Sequence, residues 1–487
     1  MNIYFAALIA YAVVLIAVGA IAARRVKSAS DFLVAGRRFG PGILFATFLA
    51  ANIGAGSTVG ASGIGYRLGL SAWWWVGSAS IGTAILSQTV GPKLWKLAKA
   101  HEFQTLGDFL EFRYGKSVKA IVAVLLWAGT LAILAGQLIA IAWILNVVVG
   151  LAKWKGCLAG GVVAISYCAA GGLASSAVVN ILELTVTMSG LLLSIPYAIK
   201  GMGGWAAVEA AANASHAASA GATASGAGYF GMTGAGFVVI LGYACLLIPS
   251  FIVSPGLVQK LYGARDARTV RRGVFANSIA QALFAFAPAM FGIIAFAKFP
   301  HLTNPELALP SVMMYMVPKW VGLWALASIF SAELSATDAI LFMLSTSLAV
   351  DLYKTFVQPD VDQKKLLGVS RATAVIAGVA GVLLAIELPT VIAAVSIFYG
   401  LLAVALFVPL IYGLYWRKMS TIAAIASIFA AVIAWLVTRY EIPGATIGPL
   451  PAAAVGILVA LVVATATSFL FPSKDAGARR TWGATEL

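Results

Sequence analysis

The chain has 487 residues, of which 61% are hydrophobic and only 10% charged, and its mean hydropathy is +0.97. A water-soluble domain of this size would carry about a quarter charged residues, so a water-facing fold is excluded and the bilayer is the solvent to reason from. A net charge of +15 would in a soluble protein point to nucleic acid; here the basic residues sit in short connections between apolar runs, so they set membrane orientation and no nucleic-acid partner is expected.

A span of the hydrocarbon core takes roughly 20 apolar residues. Thirteen runs meet or approach this: 2–23, 41–65, 71–95, 118–149, 156–170, 173–199, 233–258, 273–297, 321–350, 372–388, 391–415, 420–438 and 450–471. The first is too long for the core of a cleavable signal, and its charges follow it. An odd number of spans puts the termini on opposite sides. Alternate connections, from Arg24 and Arg25 to the tail with Arg479 and Arg480, hold 25 of the 32 Lys and Arg, and the other set holds seven. The positive-inside rule then places the N-terminus outside and the C-terminus in the cytoplasm of a multi-pass plasma-membrane protein. Trp73, Trp74 and Trp75 read as interfacial anchors at an outer edge, and Trp416 as one at an inner edge. Residues 205–228, rich in Ala, Gly and Ser, read as a mobile outer loop. Cys157, Cys168 and Cys245 form no CxxC pair, and His101, His216 and His301 are scattered, so no enzyme and no organic cofactor is expected.

With the first helix and its loop (1–40) set aside, ten runs fall into two sets of five, 41–199 and 233–416, separated by the loop 200–232. Two further helices (417–471) and a short tail (472–487) follow. Five helices per set invert the second relative to the first. In each set the fourth run is short and turns tightly into the fifth, at Gly171-Gly172 and at Leu388-Pro389. The first run of each set is interrupted, by Asn52-Ile53-Gly54-Ala55-Gly56-Ser57 and by Pro249-Ser250 with Ser254-Pro255-Gly256. Matching broken helices in two inverted halves point to a transport site at mid-membrane.

Such a site needs oxygen. The run 321–350 offers Ser328, Ser331, Ser335, Thr337 and Ser345–Ser347, with two intramembrane carboxylates, Glu333 and Asp338, each a functional candidate by its cost. Ala332 and Ser335, three apart, share a face. Asn180 and Glu183 do the same on the run 173–199, with Glu183 about 18 Å in from the preceding turn.

These segments, taken together, resemble the sodium:solute symporter family. The resemblance rests on Ser30-Asp31-Phe32-Leu33-Val34-Ala35-Gly36-Arg37, Ala50 to Gly60, Thr105 to Gly115, Gly171-Gly172-Leu173, Gln259-Lys260 before a basic loop, and Ser335 to Lys354. It implies the leucine-transporter-type 5+5 inverted repeat with a broken first helix in each repeat, and co-transport of sodium with a small-molecule solute. It also implies a sodium site made of the carbonyls of Ala50, Ile53 and Ala332 and the hydroxyl of Ser335. The solute would lie near Asn52, Gly56, Ser57, Phe251 and Ser254. The chain departs from the family at Ala336, where a second hydroxyl is usual. It departs from the glucose branch at Val179-Asn180, at Glu183, and at Ser250, where that branch has an aromatic gate. Asn180, Glu183, Glu333 and Asp338 are therefore candidates for the coupling chemistry. A carboxylate in low dielectric can also hold a proton, so proton coupling is the alternative, with a transport-dead sensor of the same fold as another.

Overall fold

The computed structural model describes residues 2–23, 37–168, 173–220, 228–440 and 451–473. Hydrocarbon offers no partner to a backbone amide or carbonyl, so apolar runs satisfy their polar groups internally as helices. The described residues form no sheet, only one isolated bridge between Phe39 and Ala264.

The first half contains α1 (Ile3–Ala23), α2 (Pro41–Asn52), α3 (Val59–Leu68), α4 (Trp73–Ile85), α5 (Gly91–Ala100), α6 (Leu106–Tyr114), α7 (Lys116–Val149), α8 (Lys153–Cys168) and α9 (Leu173–Gly201). After α10 (Trp205–Ala220) come α11 (Phe237–Val253), α12 (Pro255–Tyr262), α13 (Ala267–Phe284), α14 (Phe286–Lys298) and α15 (Ala308–Tyr315). Then follow α16 (Lys319–Thr346), α17 (Gln363–Glu387), α18 (Val391–Leu401), α19 (Phe407–Tyr415), α20 (Thr421–Arg439) and α21 (Ala452–Leu470). A π-helical stretch, Ser347–Val357, prolongs α16. Among the described residues each of the thirteen apolar runs contains helix, and nine helices are long and apolar enough to cross a membrane. The architecture is the all-α inverted repeat, with α2 and α3 as the broken first helix of one repeat and α11 and α12 as that of the other.

Without a hydrophobic drive between helices in lipid, close approach depends on small residues. A Cβ on Gly292 of α14 would stand 2.4 Å from the backbone of Ser62 and Tyr66 on α3, so these helices meet backbone to backbone. A Cβ on Gly190 of α9 would stand 2.4 Å from the Ser328 side chain of α16.

Three expectations are corrected. Residues 205–220 are helix, not loop: alanine is the best helix former, and Val208 and Ala212, four apart, bury one face. Trp75 is no interfacial anchor. Successive helical residues are about 100° apart, so three tryptophans in a row cannot share one surface; Trp75 is buried, while Trp73 and Trp74 bond the carbonyls of Ala282 and Met232. Several basic residues counted as loop charges are interior. Arg113 is buried and donates to the carbonyls of Gly413 and Met419, Lys119 is buried among acids, and Lys260 lies inside α12. The Gly171-Gly172 turn and the tail beyond residue 473 lie outside the described residues.

Candidate functional site

The first break runs from Ile53 to Thr58, between α2 and α3. Hydroxyls explain how it survives in an apolar interior. In an unbroken helix Gly54 N would bond the Ala50 carbonyl; here it bonds Ser57 Oγ at 3.0 Å. Ser57 N, the natural donor to Ile53 O, bonds Gly54 O at 2.9 Å instead. Ala55 N is taken by Gln137 Oε1 of α7 at 2.8 Å, and Trp75 Nε1 donates to Gly56 O at 2.8 Å. The break thus diverts the helical donors of Ala50 and Ile53 while the amides of Gly54, Ala55 and Ser57 find other acceptors.

α16 lies directly against it. A Cβ on Gly54 would stand 2.5 Å from Ala336 Cβ. Ala332 and Ser335 are buried beside this contact. The Ser335 hydroxyl is hydrogen-bonded to the Glu183 carboxyl of α9, and Thr58 Oγ1 donates to Glu333 Oε1 at 2.6 Å. The fold therefore brings Glu183 to Ser335 and Glu333 to the break. Asp338, also buried, lies within electrostatic reach of both Glu183 and Lys260. The side chain of Asn180 is outside the described residues.

The second break is a single residue, Ser254, between α11 and α12. Pro255 has no N–H to continue α11 and is suited to start α12. Pro249, one turn earlier, stays inside α11. The Ser250 hydroxyl donates to Tyr399 O at 2.7 Å, so it fastens α18 to α11 and does not face the cavity.

Both breaks open on one cavity of about 860 Å³. Asn52, Gly56, Ser57, Phe251 and Ser254 all line it. One wall is aromatic, with Tyr399 5.4 Å from both Phe251 and Phe398, and Trp75 packed behind at 6.3 Å (ring centroids). Asn52 donates to Gln281 Oε1 at 3.3 Å. A smaller cavity of about 530 Å³ shares Gln259 and Met343 with the first and reaches Lys119 and Asp351. There Lys119 Nζ is 2.9 Å from both Asp108 and Glu111 and 3.9 Å from Asp351.

Sequence reasoning passed over Gln137, Gln281 and Tyr399 and gave Trp75 another place. For the two glutamines a signal existed: each is an amide within an apolar run, costly unless bonded. Trp75 and Tyr399 carried none, because an aromatic in a membrane helix has many ordinary places to sit.

The family model described as "Sodium:solute symporter family" matches residues 32–430. The chain is 27% identical over 466 residues to the sodium/pantothenate symporter of Escherichia coli, covering 89% of this chain and 91% of that one. It is 23% identical to the sodium/glucose cotransporter of Vibrio parahaemolyticus, covering 83% and 78%. Among solved structures it is similar to a Na+-coupled sialic acid symporter in a substrate-bound outward-open state, with a TM-score of 0.80, 18% identity, and coverage of 98% and 99%.

Proposed function

Because the chain belongs to the sodium:solute symporter family, we propose that it carries a small polar organic solute across the plasma membrane together with sodium, by alternating access around the cavity where its two broken helices meet. The observation that carries this reading is the diversion of Gly54 N and Ser57 N, which leaves the Ala50 and Ile53 carbonyls without their helical donors. Carbonyl and hydroxyl oxygens suit a hard cation. Sodium, as cargo, is assigned to Ala50, Ile53, Ala332 and Ser335, and the solute to Asn52, Gly56, Ser57, Phe251 and Ser254. In this scheme the Lys119 cluster lies at the cytoplasmic end, the N-terminus outside and the C-terminus inside.

The test is uptake into proteoliposomes under an imposed sodium gradient. Ser335→Ala should raise the sodium concentration for half-maximal uptake about tenfold, the scale of one hydrogen-bonding group lost from an ion. Unchanged sodium dependence would remove Ser335 from the site.

A second reading has its own observation, the hydrogen bond between Ser335 and Glu183. It makes Glu183 a proton carrier in place of, or beside, sodium. Glu183→Gln then abolishes uptake driven by a pH gradient. If Glu183 only tunes the sodium site, the same change weakens sodium-driven uptake and spares any pH-driven part. Wild-type behaviour under both gradients leaves Glu183 as a packing residue.

A further inference from the structure

The walls of the central cavity are unequal in charge. Among its twenty described lining residues there is one charged side chain, Lys260, and no carboxylate. Glu183, Glu333 and Asp338 are all buried nearby, yet none of them lines it.

Lys260 is 4% exposed, so its ammonium has left bulk water. A buried ammonium ordinarily sits in contact with a carboxylate or several carbonyls, because desolvation costs several kcal/mol, on the order of a whole ion pair. Here neither a hydrogen bond nor a contact ion pair ties it to another described residue. Asp338 acts on it only through its field. The described lining of the cavity thus offers Lys260 no protein carboxylate in contact.

A second feature points the same way. α12 begins on the cavity wall, with Ser254, Gly256 and Leu257 all lining it. No side chain caps this N-terminus. Its first amides and its dipole therefore present partial positive charge to the same space that holds the Lys260 side chain. Half-helix N-termini at mid-membrane are suited to anionic groups of a solute.

The rest of the wall describes the remainder of the ligand. Phe251, Phe342, Phe398, Ile133, Ile340 and Met343 are apolar, a lining suited to a carbon body and not to a bare inorganic anion. Resting on the symport reading above, we infer that the solute is a small organic carboxylate whose anionic group is received by Lys260 and the N-terminus of α12, with its carbon body against the aromatic wall. The names of the two relatives leave this open, since one names a carboxylate and the other a neutral sugar. It is the cavity of this chain that selects the acid.

The experiment uses the full chain in proteoliposomes and matched pairs of acid and amide: propionate and propionamide, lactate and lactamide, benzoate and benzamide, pantothenate and its primary amide. Wild type should take up at least one acid with an apparent affinity about tenfold or more above its amide, the scale of one charge-assisted contact. Lys260→Gln should erase that preference, and Lys260→Arg should keep part of it. The double change Lys260→Gln with Asp338→Asn separates the roles. If Lys260 reads the solute, the double variant still lacks the preference; if Lys260 merely balances Asp338, acid uptake returns and the inference falls. Amides taken as well as acids, or no acid taken at all, overturn it too. Sodium-dependent thermal stabilisation without solute, measured on the same variants, reports folding and the sodium site separately. A chain that keeps that shift but ignores the acids loses this inference and keeps the symport reading, whereas preference for acids without any sodium effect does the reverse.

Discussion

The two breaks occupy corresponding places in the two halves and are built differently. The first spans Ile53 to Thr58 and is bonded from within and from neighbouring helices: Ser57 answers Gly54 N, Gln137 answers Ala55 N and Trp75 answers the Gly56 carbonyl. It is also tightly packed, with Gly54 against Ala336. The second is one residue long and has no side-chain cap, and a Cβ on Gly256 would meet only the Met343 sulfur, at 3.3 Å. Both restarting half-helices begin without a side-chain cap, and the first break also withdraws donors from carbonyls. The same interruption of a helix can therefore serve ligands of opposite sign, and local hydrogen bonding decides which.

The comparison breaks most severely at Gly54. Gly54→Ala places a methyl 2.5 Å from Ala336 Cβ and 2.8 Å from a Gln137 oxygen that Ala55 N already holds. Neither neighbour can swing aside, so we expect loss of sodium-driven uptake and about 1–3 kcal/mol of overpacking strain. Ala336→Gly in the same chain should recover part of both, read by uptake and by thermal unfolding in detergent. Full activity of Gly54→Ala alone would refute the tight packing.

Ser57→Ala comes next. It removes the acceptor of Gly54 N and the donor to the Asn52 and Gly54 carbonyls. A buried amide without its partner costs about 1–3 kcal/mol. The measurable result is a weaker sodium-dependent thermal shift, since Gly54 N becomes free to return to the Ala50 carbonyl; an unchanged shift would mean that Ser57 does not shape the site. Trp75→Phe is milder: it keeps the ring and removes only the bond to Gly56 O, about 1 kcal/mol. Its effect should fall on solute affinity, with sodium affinity near wild type, as competition assays at saturating sodium would resolve. Gly256→Ala is the smallest. Met343 is flexible and can yield a few tenths of an ångström, so uptake should stay within about twofold of wild type. A loss as large as that of Gly54→Ala would show the second break to be as closely packed as the first and would dissolve the contrast.

Much of this was legible in the residues themselves. Thirteen apolar runs, the matching interruptions at 52–57 and 254–256, and intramembrane carboxylates at 183, 333 and 338 are one-dimensional signals. Hydrocarbon forces each run to be helical and makes each polar exception costly. Asn52, Gly56, Ser57, Phe251 and Ser254, picked out from two distant segments, line one cavity. Other sites were misjudged for one recurring reason, that which way a helix faces depends on its neighbours. Lys260 was counted as a loop charge although it lies on a cavity wall, Trp75 as an anchor although it holds the Gly56 carbonyl, and 205–220 as loop although a buried stripe makes it helix.

What the sequence by itself determined is therefore the solvent, the helices, the places where two of them are interrupted and the family, because each follows from local composition and spacing. Only the tertiary structure decided which amide answers which carbonyl at the first break. It alone brought Ser335 to Glu183 and set Lys260 on the wall of a cavity whose described lining holds no carboxylate. Those relations join residues far apart in the chain across helix faces, and a helix carries no record in its own residues of the neighbour it will meet.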